Sequence, residues 1–169
     1  MKFLAHFSIP ISVVVALAAC APAAQEPGPV AEETSSTETD AAAIKGVNDQ
    51  FLAGLNDGDL EACLAVVAEG VVMLAPNHPT ATGKAAVESW FRTVFDQFTV
   101  EETWSSEELV VAADWAFNRG TYSGTFTPKA GGEPMQEEGK YIWILHRQAD
   151  GSWKYAHSIW NSDNPPPGS

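Results

Sequence analysis

The chain has 169 residues, and its nine Lys and Arg residues stand against 22 Asp and Glu, which gives a net charge of −13. This acidic balance argues against nucleic acid as a partner, because binding to phosphates requires clustered Lys and Arg side chains. It also argues against electrostatic adhesion to anionic lipid. The length suits one domain, which leaves small-molecule binding, catalysis and assembly open.

The first 19 residues have the order of an export signal, with Lys2 followed by a mostly apolar run that is short for a membrane span. The run ends in Leu17-Ala18-Ala19-Cys20, which resembles the bacterial lipobox, in which the Cys thiol is acylated and becomes the first mature residue. An ordinary cleaved signal peptide is the alternative. By the same resemblance, Ala21 implies sorting to the outer membrane, so we expect a lipid-anchored protein in the cell envelope, on the periplasmic side of the outer membrane in a Gram-negative bacterium.

Residues 20–39 are rich in Ala, Pro, Glu, Ser and Thr and contain neither an aromatic residue nor a base. Such a composition cannot bury enough apolar surface to offset chain entropy, so it predicts a disordered tether. We expect the folded domain to cover residues 40–164 and the Pro-rich residues 165–169 to form a frayed tail. The membrane is then contacted through the lipid anchor only.

Three helices and a short strand are predicted before residue 98. Asp40 can cap the first helix, which ends at Gly58, and Asp59 can cap the second, which runs to Ala68. The third helix is predicted over residues 84–97. The apolar run at residues 70–75 predicts a buried strand, followed by a Pro-flanked loop.

The second half alternates between apolar and polar residues, which is typical of strands. Strands are predicted at residues 99–105, 108–112, 115–127, 138–148 and 153–161. Helices gathered early and strands gathered late indicate an α+β domain. We expect a cone-shaped, curved and mostly antiparallel sheet wrapped over the three N-terminal helices.

Four short motifs follow one another along the chain: Asn56-Asp57-Gly58-Asp59, Gly83-Lys84-Ala85-Ala86-Val87, Asp114-Trp115-Ala116-Phe117-Asn118-Arg119-Gly120 and Asp150-Gly151-Ser152-Trp153-Lys154. In this order they resemble the SnoaL-like, ketosteroid-isomerase-like group of the nuclear transport factor 2-like superfamily, over Asp40–Asp163. The resemblance implies the cone fold. It does not fix the function, because this fold hosts isomerases, cyclases, hydrolases, dehydratases and binding or assembly domains.

The catalytic residues of ketosteroid isomerase have no counterparts at the matching places. That enzyme uses an Asp base and an oxyanion hole made of Tyr and a protonated Asp. Here the first helix presents no hydroxyl on its apolar stripe, and residues 71–76 contain no carboxylate. Asn77 and His78 follow, and they would be the polar catalytic groups if the protein were an isomerase, cyclase or hydrolase.

Strand alternation predicts an aromatic pocket. Arg119 shares a face with Trp115 and Phe117, so it is either a clamp for a ligand carboxylate or one end of a structural ion pair. The tryptophans are either pocket lining or core. The residues expected to line a ligand-binding pocket are Phe51, Met73, Asn77, Trp90, Trp104, Arg119, Tyr141, Trp143, Ser158 and Trp160.

No motif indicates a metal or a cofactor, since the four His residues are scattered and no Gly-rich phosphate loop is present. The first interpretation is therefore a lipid-anchored domain that binds a small apolar or aromatic molecule, with an acidic group on the ligand expected from Arg119. The alternatives are an enzyme acting on a similar ligand and an assembly module without ligand. A homodimer is expected, with His146 and His157 outside the pocket or at the convex dimer face.

Overall fold

A computed structural model describes the backbone of residues 30–165 and the side chains from Thr37 onward. The predicted export signal, Cys20 and the first part of the predicted tether lie outside the described residues. Among the helices that are described, none combines the length and the hydropathy that a membrane crossing requires.

The described chain forms three helices and one six-stranded sheet. The sheet order is β2-β1-β6-β5-β4-β3, and all neighbours are antiparallel except the parallel pair β1 and β6. The predicted α+β class, with the curved sheet packed on N-terminal helices, is confirmed. The elements are α1 (Val30–Asp57), α2 (Leu60–Ala65), β1 (Val67–Leu74), β2 (Ala81–Thr82), α3 (Lys84–Gln97), β3 (Phe98–Ala112), β4 (Trp115–Pro128), β5 (Met135–Arg147) and β6 (Trp153–Ser162).

Helix α1 begins ten residues before Asp40, so the predicted cap is wrong, and residues 30–39 are helical where composition predicts a disordered tether. Extending an existing helix avoids the cost of nucleation, which offsets the lower helix propensity of the Ser and Thr residues in this segment. Asp40 instead accepts two hydrogen bonds from Arg147, at 2.7 and 2.6 Å, and one from Trp153 Nε1 at 3.2 Å. The Arg147 hydrogen bonds hold the pKa of Asp40 below its usual value. Asp40 therefore fastens α1 to the sheet.

The other two helices lie close to their predicted places. The Asp59 side chain accepts a hydrogen bond from Ala62 N at 3.0 Å, which confirms the predicted cap of α2. That helix ends at Ala65, three residues earlier than predicted, because Val67 opens β1 and pairs with β6. Helix α3 has the predicted bounds, with Val87, Phe91 and Phe95 buried against the sheet.

Strand β3 is one strand of 15 residues, where the sequence predicts two. Its register against β4 shifts between Ser106 and Glu108, so Glu107 is an inserted residue. A bulge of this kind lets the strand bend without ending the ladder. The curvature helps the sheet to wrap around the helices.

Two glycines lie opposite tyrosines at the centre of the sheet. Gly120 on β4 pairs with Tyr141 on β5, and Gly139 on β5 pairs with Tyr122 on β4. A Cβ on Gly120 would lie 2.8 Å from the Tyr141 hydroxyl, and a Cβ on Gly139 would lie 2.9 Å from Tyr122 Cε1. Each ring therefore crosses the backbone of a glycine, and both rings are buried on the concave face.

Candidate ligand-binding cleft

A cleft with a cavity volume of about 90 Å³ opens between α1, α3 and the concave face of the sheet. We call it the aromatic cleft. Helix α1 contributes Phe51 and Leu55, and α3 contributes one wall that includes Trp90 and Phe91. The sheet supplies the floor from β1, β3, β4, β5 and β6.

Seven of the ten residues predicted to line a pocket do line the aromatic cleft: Phe51, Met73, Trp90, Trp104, Trp143, Ser158 and Trp160. Their positions follow from helix and strand periodicity, which placed them on the faces that meet in the core. That they bind a ligand stays a prediction.

Arg119 does not enter the aromatic cleft. Its side chain is 47 % exposed on the convex face, where Nε lies 2.6 Å from Glu108 and Nη1 lies 2.7 Å from Glu107. Alternation correctly grouped Arg119 with Trp115, but that group faces outward, and the even-numbered residues of β4 face the core. The carboxylate clamp is therefore wrong, the ion pair is the correct alternative, and the basis for an acidic ligand is lost.

Asn77 and Tyr141 also do not line the aromatic cleft. Asn77 is exposed in the loop after β1 with φ 58°, and its neighbour His78 is exposed too, with Nδ1 2.8 Å from the Pro76 carbonyl. The two polar groups considered for catalysis are thus outside the cavity. Tyr141 is buried behind the lining, with its ring stacked 4.6 Å from Trp143.

The four tryptophans of the cleft surround its interior. Ring centroids lie 5.5 Å apart for Trp104 and Trp143, 6.1 Å for Trp143 and Trp160, and 5.6 Å for Trp90 and Trp160. Phe51 stacks on Trp104 at 5.7 Å. Such arrays bind apolar and aromatic surfaces through large contact areas and defined ring geometry.

One acid faces this apolar interior. Glu102 on β3 lines the aromatic cleft, and its Oε2 accepts a hydrogen bond from Trp104 Nε1 at 2.8 Å. Burial raises the pKa of the Glu102 carboxyl; the Trp104 hydrogen bond acts in the opposite direction, and the nearby Glu137 adds a smaller upward effect. Perturbed carboxyls in clefts are frequent at functional sites.

The backbone of Glu102 is fixed by the end of α1. Glu102 N donates to Asn56 Oδ1 at 2.7 Å, and Asn56 Nδ2 donates to Glu102 O at 3.0 Å. Glu102 was absent from the predicted lining, although it shares its strand face with Val100 and Trp104. A charged residue on an otherwise apolar strand face was the signal that could have identified it.

A buried polar network lies beneath the cleft. Asn118 is fully buried, and its Oδ1 accepts from Asn48 Nδ2 at 3.2 Å and from the Tyr141 hydroxyl at 3.3 Å. The Tyr155 hydroxyl donates to Asn48 at 2.5 Å. Because these groups satisfy one another, the network is a rigid support for the floor. Trp143 Nε1, by contrast, is buried without a hydrogen-bond partner among the described residues.

Fold and cleft together define a cone-shaped α+β domain with an aromatic cleft on the concave face of its sheet. The family model described as the SnoaL-like domain matches residues 48–156, and the chain belongs to this family. The resemblance drawn from the four motifs is thereby confirmed, while the lipoprotein character stays a prediction. Proteins of this family and fold bind small molecules and include isomerases and dehydratases.

Solved structures show the same fold. A ketosteroid isomerase-like protein from Erwinia carotovora atroseptica SCRI1043 is 29 % identical with a TM-score of 0.69, covering 73 % of this chain and 96 % of its own. A conserved protein from Planctomyces limnophilus DSM 3776 is 22 % identical at a TM-score of 0.69, covering 74 % and 98 %. A type 2 hexachlorocyclohexane dehydrochlorinase, LinA, is 16 % identical at a TM-score of 0.67, covering 78 % and 96 %. No curated protein matches the sequence.

Proposed function

We propose that the aromatic cleft binds a small molecule with an apolar or aromatic body. The observation that carries this proposal is the cleft itself, whose four tryptophans line an open space instead of filling it. A core made only for stability would close such a space, because cavities lose packing energy. Membership of a family that includes small-molecule binders supports the same conclusion.

Native mass spectrometry of the purified protein tests this proposal. We expect a small molecule to travel with the wild-type chain and to be absent from Val94→Trp, which places a large ring in the cleft from α3. Circular dichroism of Val94→Trp shows whether the variant is folded. If no adduct is seen and no compound from a panel of aromatic molecules raises the melting temperature of the wild type, the proposal is wrong.

An enzyme of the isomerase, cyclase or hydrolase type is the second candidate, and Glu102 is the observation that favours it. A carboxyl in a cleft whose pKa is raised by burial is a candidate for general acid–base catalysis. Among the described lining residues it is the single carboxyl group. A dehydrochlorinase of the same fold shows that this architecture can carry catalysis, at the level of fold alone.

We also propose a homodimer formed through the convex face of the sheet. Large apolar side chains are exposed there, among them Trp115, Ile142 and Ile159 at 44–46 %. His146 and His157 lie beside Trp115, with ring centroids at 4.2 and 6.4 Å. A contiguous apolar patch on a sheet face is typical of an interaction surface. Sedimentation velocity tests the proposal, and a monomer at micromolar concentration contradicts it. If the protein is an assembly module, the same dimer forms but no ligand binds in the cleft.

The lipid anchor is proposed from the sequence alone, through Leu17-Ala18-Ala19-Cys20 after an apolar run. It would hold the domain at the outer membrane, facing the periplasm. Cys20→Ala is expected to move the protein from the membrane fraction to the soluble fraction, because acyl chains supply about 0.8 kcal/mol per buried methylene and nothing else in the predicted tether is strongly apolar. Cys63→Ala is the matched control, and membrane-bound Cys20→Ala protein would contradict the anchor.

A further inference from the structure

We infer that the aromatic cleft selects an organic cation, a molecule that carries a compact ammonium group on an apolar body. This inference rests on the proposed function and specifies its ligand class. It replaces the acidic ligand that Arg119 suggested, and it depends on three features of the cleft: its charges, its ring faces and the hydrogen bonding of its acid.

The charges that face the cleft are negative. Among the described residues that line it there is no Lys, Arg or His, and the titratable side chains are Glu102, Tyr122 and Tyr155. Glu137 lies within hydrogen-bond distance of the Tyr122 hydroxyl at 3.4 Å. Burial and then the charges of Glu137, Glu102 and Asp163 raise the pKa of Tyr122.

Two bases of the sheet have acidic partners of their own. Lys140 forms an ion pair with Asp163 on the exposed edge of the sheet, and Arg119 is held by two glutamates on the convex face. Glu102 consequently has no cationic partner in the described structure. A carboxylate in an apolar site without a counter-charge costs folding free energy, and a bound cation would supply that counter-charge.

The ring faces of the cleft suit the same ligand. Indole has the most favourable π face for a cation, and cation–π attraction increases when water is excluded. Trp104, Trp143 and Trp160 follow one another at centroid distances of 5.5 and 6.1 Å. These rings and Glu102 line the same cleft, so a methylated ammonium group bound there would be attracted by both the ring faces and the carboxylate.

The hydrogen bond at Glu102 favours its ionised form. Trp104 Nε1 donates to Oε2 at 2.8 Å, and a donor aimed at a carboxylate is stronger than one aimed at a neutral acid. The alternative is a protonated Glu102 that donates to a carbonyl group of a neutral ligand. The two states predict opposite effects of pH on affinity, which makes them separable.

The experiment compares two molecules of the same shape. Phenyltrimethylammonium and tert-butylbenzene differ in the quaternary centre, which is charged nitrogen in one and carbon in the other. With the full chain in titration calorimetry and thermal shift, we expect the cation to bind at least about tenfold more tightly, equivalent to about 1.4 kcal/mol. This comparison uses the wild-type protein alone, so its result does not depend on whether any variant folds.

Glu102→Gln and Glu101→Gln form a matched pair of variants. Glu101 is the adjacent acid on the exposed face of the same strand, so its loss alters net charge equally without touching the cleft. We expect Glu102→Gln to reduce cation affinity about tenfold, to the level of the neutral isostere, and Glu101→Gln to keep wild-type affinity. Tryptophan fluorescence and melting temperature confirm that both variants are folded.

The pH profile provides a second readout. Phenyltrimethylammonium does not titrate, so its affinity should fall as pH is lowered through the raised pKa of Glu102, where the carboxylate gains a proton. The profile of Glu102→Gln should lack this step. The other groups near Glu102 cannot cause a difference between the two pH profiles, because both proteins contain them: Asn56, Tyr122, Glu137 and Asp163. Tyr122 and Tyr155 add no step of their own, because their pKa values are raised above the range scanned.

The outcomes distinguish the cation inference from the broader proposal that the aromatic cleft binds a small molecule. If tert-butylbenzene binds as tightly as the cation, or if affinity rises as pH falls, the cation inference is overturned and small-molecule binding stands. If neither isostere binds within its solubility, the cation inference is overturned, and native mass spectrometry with the panel of aromatic molecules decides the proposed function separately. Preferential cation binding that depends on Glu102 and on pH supports the inference.

Discussion

Replacing Gly139 with Ala is expected to destabilise the domain by about 4 kcal/mol or more, which is exceptional for a single methyl group. A Cβ at this position would lie 1.9 Å from the Asn161 carbonyl oxygen and 2.9 Å from Tyr122 Cε1. The carbonyl belongs to the neighbouring strand of the ladder and also accepts from the Tyr122 hydroxyl at 3.2 Å. The Asn161 carbonyl cannot move away without disturbing the β5–β6 pairing.

Equilibrium denaturation measures this effect, and Gly46→Ala is its matched control. Gly46 lies in the interior of α1, and a Cβ there meets nothing within 4 Å. That variant should gain about 0.5–1 kcal/mol from reduced chain entropy and better helix propensity. A Gly139→Ala midpoint close to the wild type would mean that Tyr122 does not cross the backbone of Gly139 as described.

The fold was predictable wherever one periodicity ran without interruption. Helix α3 has the predicted bounds, and the hairpin between β5 and β6 lies at the predicted Asp150-Gly151 turn. The errors occurred where the structure departs from the local pattern. Helix α1 extends past Asp40 into a Ser- and Thr-rich segment, and a bulge at Glu107 joins two predicted strands into one. Neither the helix extension nor the bulge produces a periodic pattern of apolar residues in the sequence.

The sequence showed which residues share a strand face, but it did not show which face lines the cleft. Alternation states which residues of a strand share a face, and it grouped Arg119 with Trp115 correctly. Which face turns inward is decided by packing against the helices. The inward face of β4 carries Asn118, Gly120 and Tyr122, and such a small and polar set does not look like a core face in sequence.

The structure places Glu102 in the cleft, where the sequence suggested Arg119, and this reverses the sign of the charge that a ligand would meet. With Arg119 inside, the ligand would be an acid; with Glu102 inside, the cavity repels acids and attracts cations. A half-buried carboxyl without a basic partner also reduces the folding stability, as is common where side chains serve binding instead of folding. The rigid network around Asn118 supports the floor against that loss.

Phe91→Ala is expected to cost about 3–5 kcal/mol, the range for deleting a buried aromatic side chain. Phe91 is 7 % exposed on α3 and contacts the rings of Trp90, Phe51 and Phe95 at 4.9, 5.5 and 5.9 Å. Helical periodicity alone would place Trp90 at the centre of this face, but Trp90 is partly exposed at the cleft wall.

Trp90→Ala should therefore cost only about 1–2 kcal/mol, because less apolar area is removed from contact with protein. It should also widen the aromatic cleft and weaken the binding of aromatic probes, whereas a conservative Phe91→Leu should retain most of both stability and binding. Urea denaturation of the three variants measures the order. Equal losses of unfolding free energy for Trp90→Ala and Phe91→Ala would place Trp90 in the core. The tryptophans would then pack against one another for stability instead of lining a binding site.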